Sequence, residues 1–331
     1  MKRIGNLYKK IYDINNLKLA DSKARKGKLK QRGIINHDVN KEANIINLYH
    51  ILKNKEYRTS KYTIFTIFDP KEREIFRLPY YPDRILHHAV LNILESILVK
   101  SFTKDTYSCI KKRGIHKALY SVKKALVDKE NTQYCLKFDI QKFYPSINHN
   151  ILKSLLRRKF KDKDLLKLLD EIIESAKGCP IGNLLSQWFA NFYLSGFDHW
   201  IKENKRIKYY FRYCDDCVIL AKTKEELHVL FKDIKAYLKE KLDLTIKSNY
   251  QIFPISKRGL DFLGYKCWHT HTFLRDTIKR NFIRMIRYHK NNKSINSYKG
   301  WISHCNGINL TNKYILNGQK NRSIKTIRCT R

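Results

Sequence analysis

Apolar residues along this chain recur with two periods, and the change from one to the other outlines its elements. Ile85, Leu86, Ala89, Val90, Ile93, Leu94, Ile97 and Leu98 fall at helical spacing and predict an amphipathic core helix. Just before it, apolar and polar residues alternate over 61–68, Asp69-Pro70 marks a turn, and 74–78 is extended again. That pattern predicts a β-hairpin with Lys71 and Arg73 at its tip. After a basic loop containing Lys111, Lys112, Arg113 and Gly114, a further helix runs to about Asp128, and 134–139 reads as a buried strand. Helices are predicted at about 150–160 and 164–176. Over 186–200, Phe189, Tyr193, Phe197 and Trp200 form one packing stripe. Residues 209–213 and 217–221 then read as two short strands joined across Asp215-Asp216. Thr223, with Glu226 three residues on, makes a capping box for a helix whose inner face is Leu227, Leu230, Phe231, Ile234 and Leu238.

Strands separated by helices, then a hairpin and another helix, predict an α+β sandwich with helices on one sheet face. Residues 1–55 read as a basic N-terminal extension that touches RNA, with Lys23, Arg25, Lys26, Lys28 and Lys30 ahead of a helical pattern through Ile45, Leu48 and Ile51. Beyond Tyr265 the chain is expected to turn helical and very basic. Over 276–290, Ile278, Phe282, Met285 and Ile286 face inward and Arg280, Arg284 and Arg287 share the opposite side. That side either tracks a phosphate backbone or is a solvated helix face. No internal repeat or low-complexity linker divides the chain.

Composition narrows the class of partner. The 331 residues, 43% of them hydrophobic, suffice for a sizeable core. Lys and Arg number 68 against 30 acidic residues, and the formal charge of +38 is spread over the whole length. A polyanion is the natural neutraliser, so nucleic acid is the expected partner; an anionic membrane surface or a ribosomal-type role would also answer to charge alone. No run of about 18 apolar residues exists to span a bilayer, and residues 1–10 lack the apolar segment of a secretory signal. No membrane partner and a cytoplasmic location are therefore expected. Eight dispersed cysteines suit reduced thiols better than a disulfide framework. Cys214 and Cys217 form a C-x-x-C pair, but nothing completes a zinc site around them. His87, His88, His269 and His271 read as ordinary polar or packing histidines.

Asp139, Asp215 and Asp216 each end an apolar strand, where an unpaired carboxylate costs several kcal/mol of desolvation, roughly, unless a cation compensates. Phosphoryl transfer uses two Mg²⁺ ions about 4 Å apart, bridged by carboxylates from adjacent strands. An aspartate pair in a turn is by itself usually a turn. Here the surrounding residues decide. Phe138-Asp139-Ile140-Gln141-Lys142-Phe143-Tyr144 resembles the first palm motif of reverse transcriptases, and Tyr213-Cys214-Asp215-Asp216 matches their Tyr-x-Asp-Asp box. The resemblance runs from about Thr63 to Trp301.

The resemblance implies a right-hand polymerase fold, with 56–130 as fingers, 131–265 as palm (carrying a fingers-associated helical insertion at about 150–180) and 266–331 as thumb and basic C-terminal tail. It implies that Asp139, Asp215 and Asp216 are the catalytic carboxylates holding two Mg²⁺ ions, with Mn²⁺ as a substitute, and that Ile140 lends its backbone carbonyl. Tyr144 falls where the family carries its steric gate against a ribose 2′-hydroxyl. Lys71 and Arg73 fall where fingers residues grip the incoming triphosphate, and Gln187 joins the nucleotide-binding set. Phe262-Leu263-Gly264-Tyr265 resembles the primer grip. Lys247 is the nearest counterpart of a lysine that helps protonate pyrophosphate. Template RNA, an RNA–DNA hybrid and dNTPs are the implied partners.

Residues 178–187 discriminate further. Ile181-Gly182-Asn183-x-x-Ser186-Gln187 is similar to the polymerases of diversity-generating retroelements, whereas most reverse transcriptases have Gln before that glycine and Pro after the serine. That resemblance implies a bacterial or phage enzyme that copies a template-repeat RNA with errors at adenine, and that binds a small, basic, pentameric accessory protein. Ile181, Gly182 and Ser186 are then the fidelity and template residues, Ile181 replacing an amide that could police the nascent pair. The rival readings are a group II intron, retron or phage-defence reverse transcriptase, and a non-catalytic RNA-binding or maturation protein.

Overall fold

The computed structural model describes residues 3–68, 71–289 and 292–316. Helices α1 (Tyr8–Ile11), α2 (Ile14–Arg25), α3 (Arg32–Val39) and α4 (Lys41–Lys53) open the chain. They are not a loose basic arm: Leu17, Ala20, Ile34, Ile45, Leu48 and Leu52 are completely buried. Of the basic stretch, Arg25 is engaged internally, 2.9 Å from Asp21 and 2.7 Å from Asp38.

The predicted hairpin is an antiparallel ribbon of β1 (Thr63–Phe68) and β2 (Glu72–Arg77). Its Asp69-Pro70 turn lies outside the described residues. Every residue of β1 is exposed, but the root of the ribbon is anchored, since the Phe76 amide donates to the Ile181 carbonyl at 2.8 Å. The eight-residue apolar pattern that follows forms α5 (Ile85–Val99), against which α2 packs.

Helix α6 (Ile115–Leu126) leads to β3 (Tyr134–Phe138). Then α7 (Phe143–Ser146), α8 (His149–Lys159), α9 (Lys163–Glu174), α10 (Leu184–Tyr193) and α11 (Ser195–His199) precede the hairpin of β4 (Tyr209–Tyr213) and β5 (Asp216–Ala221). Helix α12 (Lys224–Leu242) begins at the predicted cap, where Thr223 accepts from the Glu226 amide at 3.2 Å, and β6 (Gln251–Pro254) follows. The sheet order is β4-β5-β3-β6, antiparallel throughout.

Both faces of this sheet are buried, which corrects the expectation of helices on one face only. Leu136, Phe138, Tyr210, Cys217 and Ile219 join the core built on the N-terminal helices, α5 and α8–α12. Cys135, Phe211, Val218, Leu220 and Phe253 join a second core with α6 and the C-terminal elements. Strands apolar at both parities belong between two layers.

The expectation of helix beyond Tyr265 also needs correction. After α13 (Ile255–Arg258), strands β7 (Leu260–Phe262), β8 (Tyr265–Cys267) and β9 (Thr272–Leu274) form a separate antiparallel sheet. Helices α14 (Asp276–Arg284), α15 (Asn292–Ile302) and α16 (Ile308–Thr311) come only then. Around α14, Phe282 and Met285 are buried while Arg280, Arg284 and Arg287 are exposed, as the spacing predicts. The tail 317–331, with Cys329, lies outside the described residues, among which no helix is long and apolar enough to cross a membrane.

Candidate active site

Sheet register brings three aspartates to one edge. Phe138 pairs with Cys217, so the next step along the antiparallel ladder sets Asp139 opposite Asp216. Tyr213 pairs with Asp216, closing the two-residue turn Cys214-Asp215. Cys214 has φ +56°, the left-handed conformation such turns demand and glycine usually supplies. On the other side Ile140 bridges Ile246, and the hydrogen bonds flanking that bridge belong to Gln141 and Asp139. The carbonyl of Ile140 therefore faces away from Ile246, towards the side occupied by β5.

The carboxylates are crowded and short of partners. Asp139 Oδ1 and Asp216 Oδ1 are buried without a hydrogen bond. Lys247 pairs through Nζ with Asp139 Oδ2, and its amide donates to the Asp139 carbonyl at 2.9 Å. Lys137 Nζ lies 3.7 Å from Asp216 Oδ2 and donates to the Asp261 carbonyl at 2.6 Å. Burial, followed by the Asp139 carboxyl group close beside it, holds the Asp215 carboxyl well above the ordinary carboxylate range. Burial also pushes Asp216 up to about 6, with Lys137 opposing and Asp139 adding to the shift.

Among the described residues no three His, Cys, Asp or Glu side chains are spaced around a single point as a finished metal cage; two lysine ammoniums stand against the carboxylates. The donor set nevertheless fits a hard divalent cation. It is all oxygen, and two of its buried oxygens have no protein donor.

Beneath the turn lies a buried polar network. Arg212 has no exposed surface and lies 2.5 Å from Asp198 Oδ2, 2.7 Å from its Oδ1 and 3.2 Å from Asn191 Oδ1. Its Nη1 donates to the Cys214 carbonyl at 2.8 Å, so the guanidinium holds the turn from below. Asp198 also accepts from Thr106 Oγ1 at 2.8 Å and from the Tyr210 hydroxyl at 2.6 Å.

Tyr144 in α7 reaches this edge, its hydroxyl 3.5 Å from Cys214 Sγ. Its backbone is gripped by the 178–187 segment: the Cys179 amide donates to the Tyr144 carbonyl at 2.9 Å. A Cβ on Gly178 would sit 2.4 Å from that same oxygen, at φ +63°, so glycine is required there. Four residues on, a Cβ on Gly182 would come within 2.5 Å of the Phe76 carbonyl. One short turn thus touches Tyr144 at one end and the root of the β1–β2 ribbon at the other.

The remaining predicted residues are dispersed. Lys71 and Arg73 are exposed on the ribbon, and on α10 Gln187 is exposed while Ser186 is buried. Phe262 and Tyr265 point into the second core, and the Tyr265 hydroxyl donates to the Trp301 carbonyl at 3.0 Å. Leu263 and Gly264, at φ +51° and +88°, form the turn between β7 and β8. That hairpin is tied to the carboxylates through Lys137, and Arg275 Nε holds Asp261 Oδ1 at 2.7 Å.

Residues 69–267 match the family model described as reverse transcriptase (RNA-dependent DNA polymerase), more than half of the chain. The chain belongs to the reverse transcriptase family. Its mixed architecture is accordingly the right-hand polymerase fold that the motifs predict. This reverse transcriptase is 23% identical to YkfC of Escherichia coli over 248 residues, 60% of the chain and 65% of YkfC. It is 22% identical to the group II intron-encoded protein LtrA of Lactococcus lactis over 261 residues, 57% of the chain and 43% of LtrA. The chain thus spans less than two thirds of either relative. Among solved structures, apo telomerase from Candida tropicalis is similar with a TM-score of 0.48 at 14% identity, over 66% of this chain and 49% of that one.

Proposed function

We propose that this reverse transcriptase copies RNA into DNA from dNTPs at the edge where Asp139, Asp215 and Asp216 meet. The observation that carries the reading is a buried, under-neutralised anionic site, with Asp139 Oδ1 and Asp216 Oδ1 lacking any protein donor. The three carboxylates and the Ile140 carbonyl would hold two Mg²⁺ ions, or Mn²⁺ in their stead. Such ions, when bound, sharpen a 3′-oxygen as nucleophile and stabilise charge on departing pyrophosphate.

The chain's own side chains do the rest by position. Tyr144 stands beside the carboxylates as the ring that excludes a ribose 2′-hydroxyl. Lys71 and Arg73, with Gln187, take the incoming triphosphate, as charge-assisted contacts suit. Lys247 is placed to donate a proton near the leaving group. The Phe262–Tyr265 hairpin steadies the primer through its Leu263-Gly264 turn, and Arg280, Arg284 and Arg287 track the hybrid's backbone. In this reading 56–130 are fingers, 131–265 palm and 266–331 thumb and tail.

Within the family, the Ile181-Gly182-Asn183-x-x-Ser186-Gln187 motif favours a diversity-generating retroelement, with adenine-directed errors and a small basic pentameric accessory protein. Similarity to LtrA favours a group II intron enzyme as the second reading. One assay addresses both levels: extension of a primed RNA by wild type and by Asp215→Asn, with each dNTP omitted in turn. The substitution should lower extension at least 10²–10³-fold, roughly the cost of losing one preorganised charge-stabilising group. Undiminished extension by Asp215→Asn refutes the site. Omission of dTTP should be tolerated best, because errors fall opposite template adenine; equal stalling at all four bases refutes the retroelement reading.

A further inference from the structure

Two thiols meet at the turn that carries Asp215. The segment 105–110 runs beside β4: the Arg212 amide donates to the Asp105 carbonyl at 2.9 Å, and the Tyr107 amide to the Arg212 carbonyl at 3.0 Å. This alignment brings Cys109 to Cys214, although 104 residues separate them. The Ser108 hydroxyl oxygen lies 3.2 Å from Cys109 Sγ and 3.0 Å from Cys214 Sγ, so both sulfurs converge on one atom. Each thiol also shifts the other's proton affinity, that of Cys109 upward and that of Cys214 downward.

Both backbones are held in the left-handed region, Cys109 at φ +57° and Cys214 at +56°, which non-glycine residues keep only when their surroundings impose it. Each is fixed by a buried donor. Asn191 Nδ2 donates to the Ser108 carbonyl at 2.8 Å, and Arg212 Nη1 to the Cys214 carbonyl at 2.8 Å. Among the described residues Cys109 is the exposed cysteine, Cys214 and Cys305 are half-buried, and Cys135, Cys179, Cys217 and Cys267 are buried, so a reagent in solution can reach the pair through Cys109.

We propose that Cys109 and Cys214 are a redox modification site, closing to a reversible disulfide at the expense of a small-molecule disulfide of the glutathione type. One cysteine sulfur attacks that molecule, forming a mixed disulfide and releasing one small thiol. The second cysteine sulfur then attacks the protein-side sulfur and releases the other. Two protein S–H bonds and one small-molecule S–S bond are lost, and one protein S–S bond and two small-molecule S–H bonds are gained. Two electrons pass from protein to reagent, and the two thiol protons end on the released thiols.

An S–S bond is about 2.05 Å long, so closure draws Cys214 out of its present contacts with Ser108 and Tyr144. Its neighbour is Asp215, and on the reading that Asp215 is catalytic, a displacement of about 1 Å costs on the order of 100-fold in rate. Disulfide closure therefore switches the polymerase off.

The test uses the full chain treated with oxidised glutathione, digested without reduction for mass spectrometry and assayed in parallel for primer extension. The expected results are a peptide pair joining Cys109 to Cys214, extension reduced at least tenfold, and recovery in dithiothreitol. Cys109→Ser should extend normally before and after treatment. Absence of the joined peptides, only glutathione adducts at these positions, full activity of the cross-linked protein, or equal inactivation of Cys109→Ser would each overturn the proposal. A reduced wild type that fails to extend would refute the polymerase reading alone, since the peptide map judges the thiol pair without reference to activity.

Discussion

At the level of single residues, the aspartates of the β4–β5 turn are held where their charges are unwelcome. Burial raises the carboxyl pKa of Asp216 to about 6, and that of Asp215 rises as well. The folded chain therefore binds protons that the unfolded chain has already released. The stability linked to these carboxyls is fully present below the ordinary carboxylate pKa and is lost as pH rises through the folded values. In chelator-treated protein, Asp215→Asn should raise the melting temperature at pH 8 by about 1–2 °C, the response of a chain this long to a change near 1 kcal/mol. At pH 4 it should change little. A lower melting temperature for the variant at pH 8 would show that the carboxylates are not in conflict. The three aspartates were legible in the sequence because an acid at the end of an apolar strand is an anomaly. Lys137 carried the same signal, a charge set between Leu136 and Phe138 in an apolar strand and on the same face as Asp139 one residue past its end. Cys109 carried none: its partner lies far away in sequence, and an isolated thiol among apolar neighbours reads as packing.

At the level of elements, the turn depends on what lies below it. Arg212 and Asp198 are both fully buried, so removing one charge strands the other. Asp198→Asn should cost about 3–5 kcal/mol in urea unfolding, as breaking a buried pair does. Tyr210→Phe, which removes one neutral donor from the same carboxylate, should cost about 0.5–1.5 kcal/mol. Equal losses from the two would mean that the ion pair is not what holds the turn. The long elements were readable: eight apolar positions at helical spacing located α5, and the capping box located the start of α12. Three-residue strands offer no period to detect, which is why β7, β8 and β9 were not anticipated. The second buried face of the main sheet escaped notice because Cys135, Val218 and Leu220 lie in continuous apolar runs, which do not reveal how many layers cover a strand.

At the level of the whole molecule, the question is where the charge of +38 acts. Part of the basic N-terminal region is structural, since Arg25 is paired with Asp21 and Asp38 and its helices are packed into the main core. The arginines at 280, 284 and 287 differ: all three side chains are exposed on the outer side of a segment whose inner side, through Phe282 and Met285, is buried. Such a side either meets nucleic acid or is merely solvated, and salt distinguishes the two. Each phosphate neutralised contributes about 0.7–0.9 to the slope of log affinity against log salt. Replacing all three arginines by alanine should therefore flatten that slope by about 2–3 for a primed RNA template. The melting temperature should hardly move, because exposed charges contribute little to stability. An unchanged slope would assign these arginines to solvent and leave the hybrid's path to other basic surfaces of the chain.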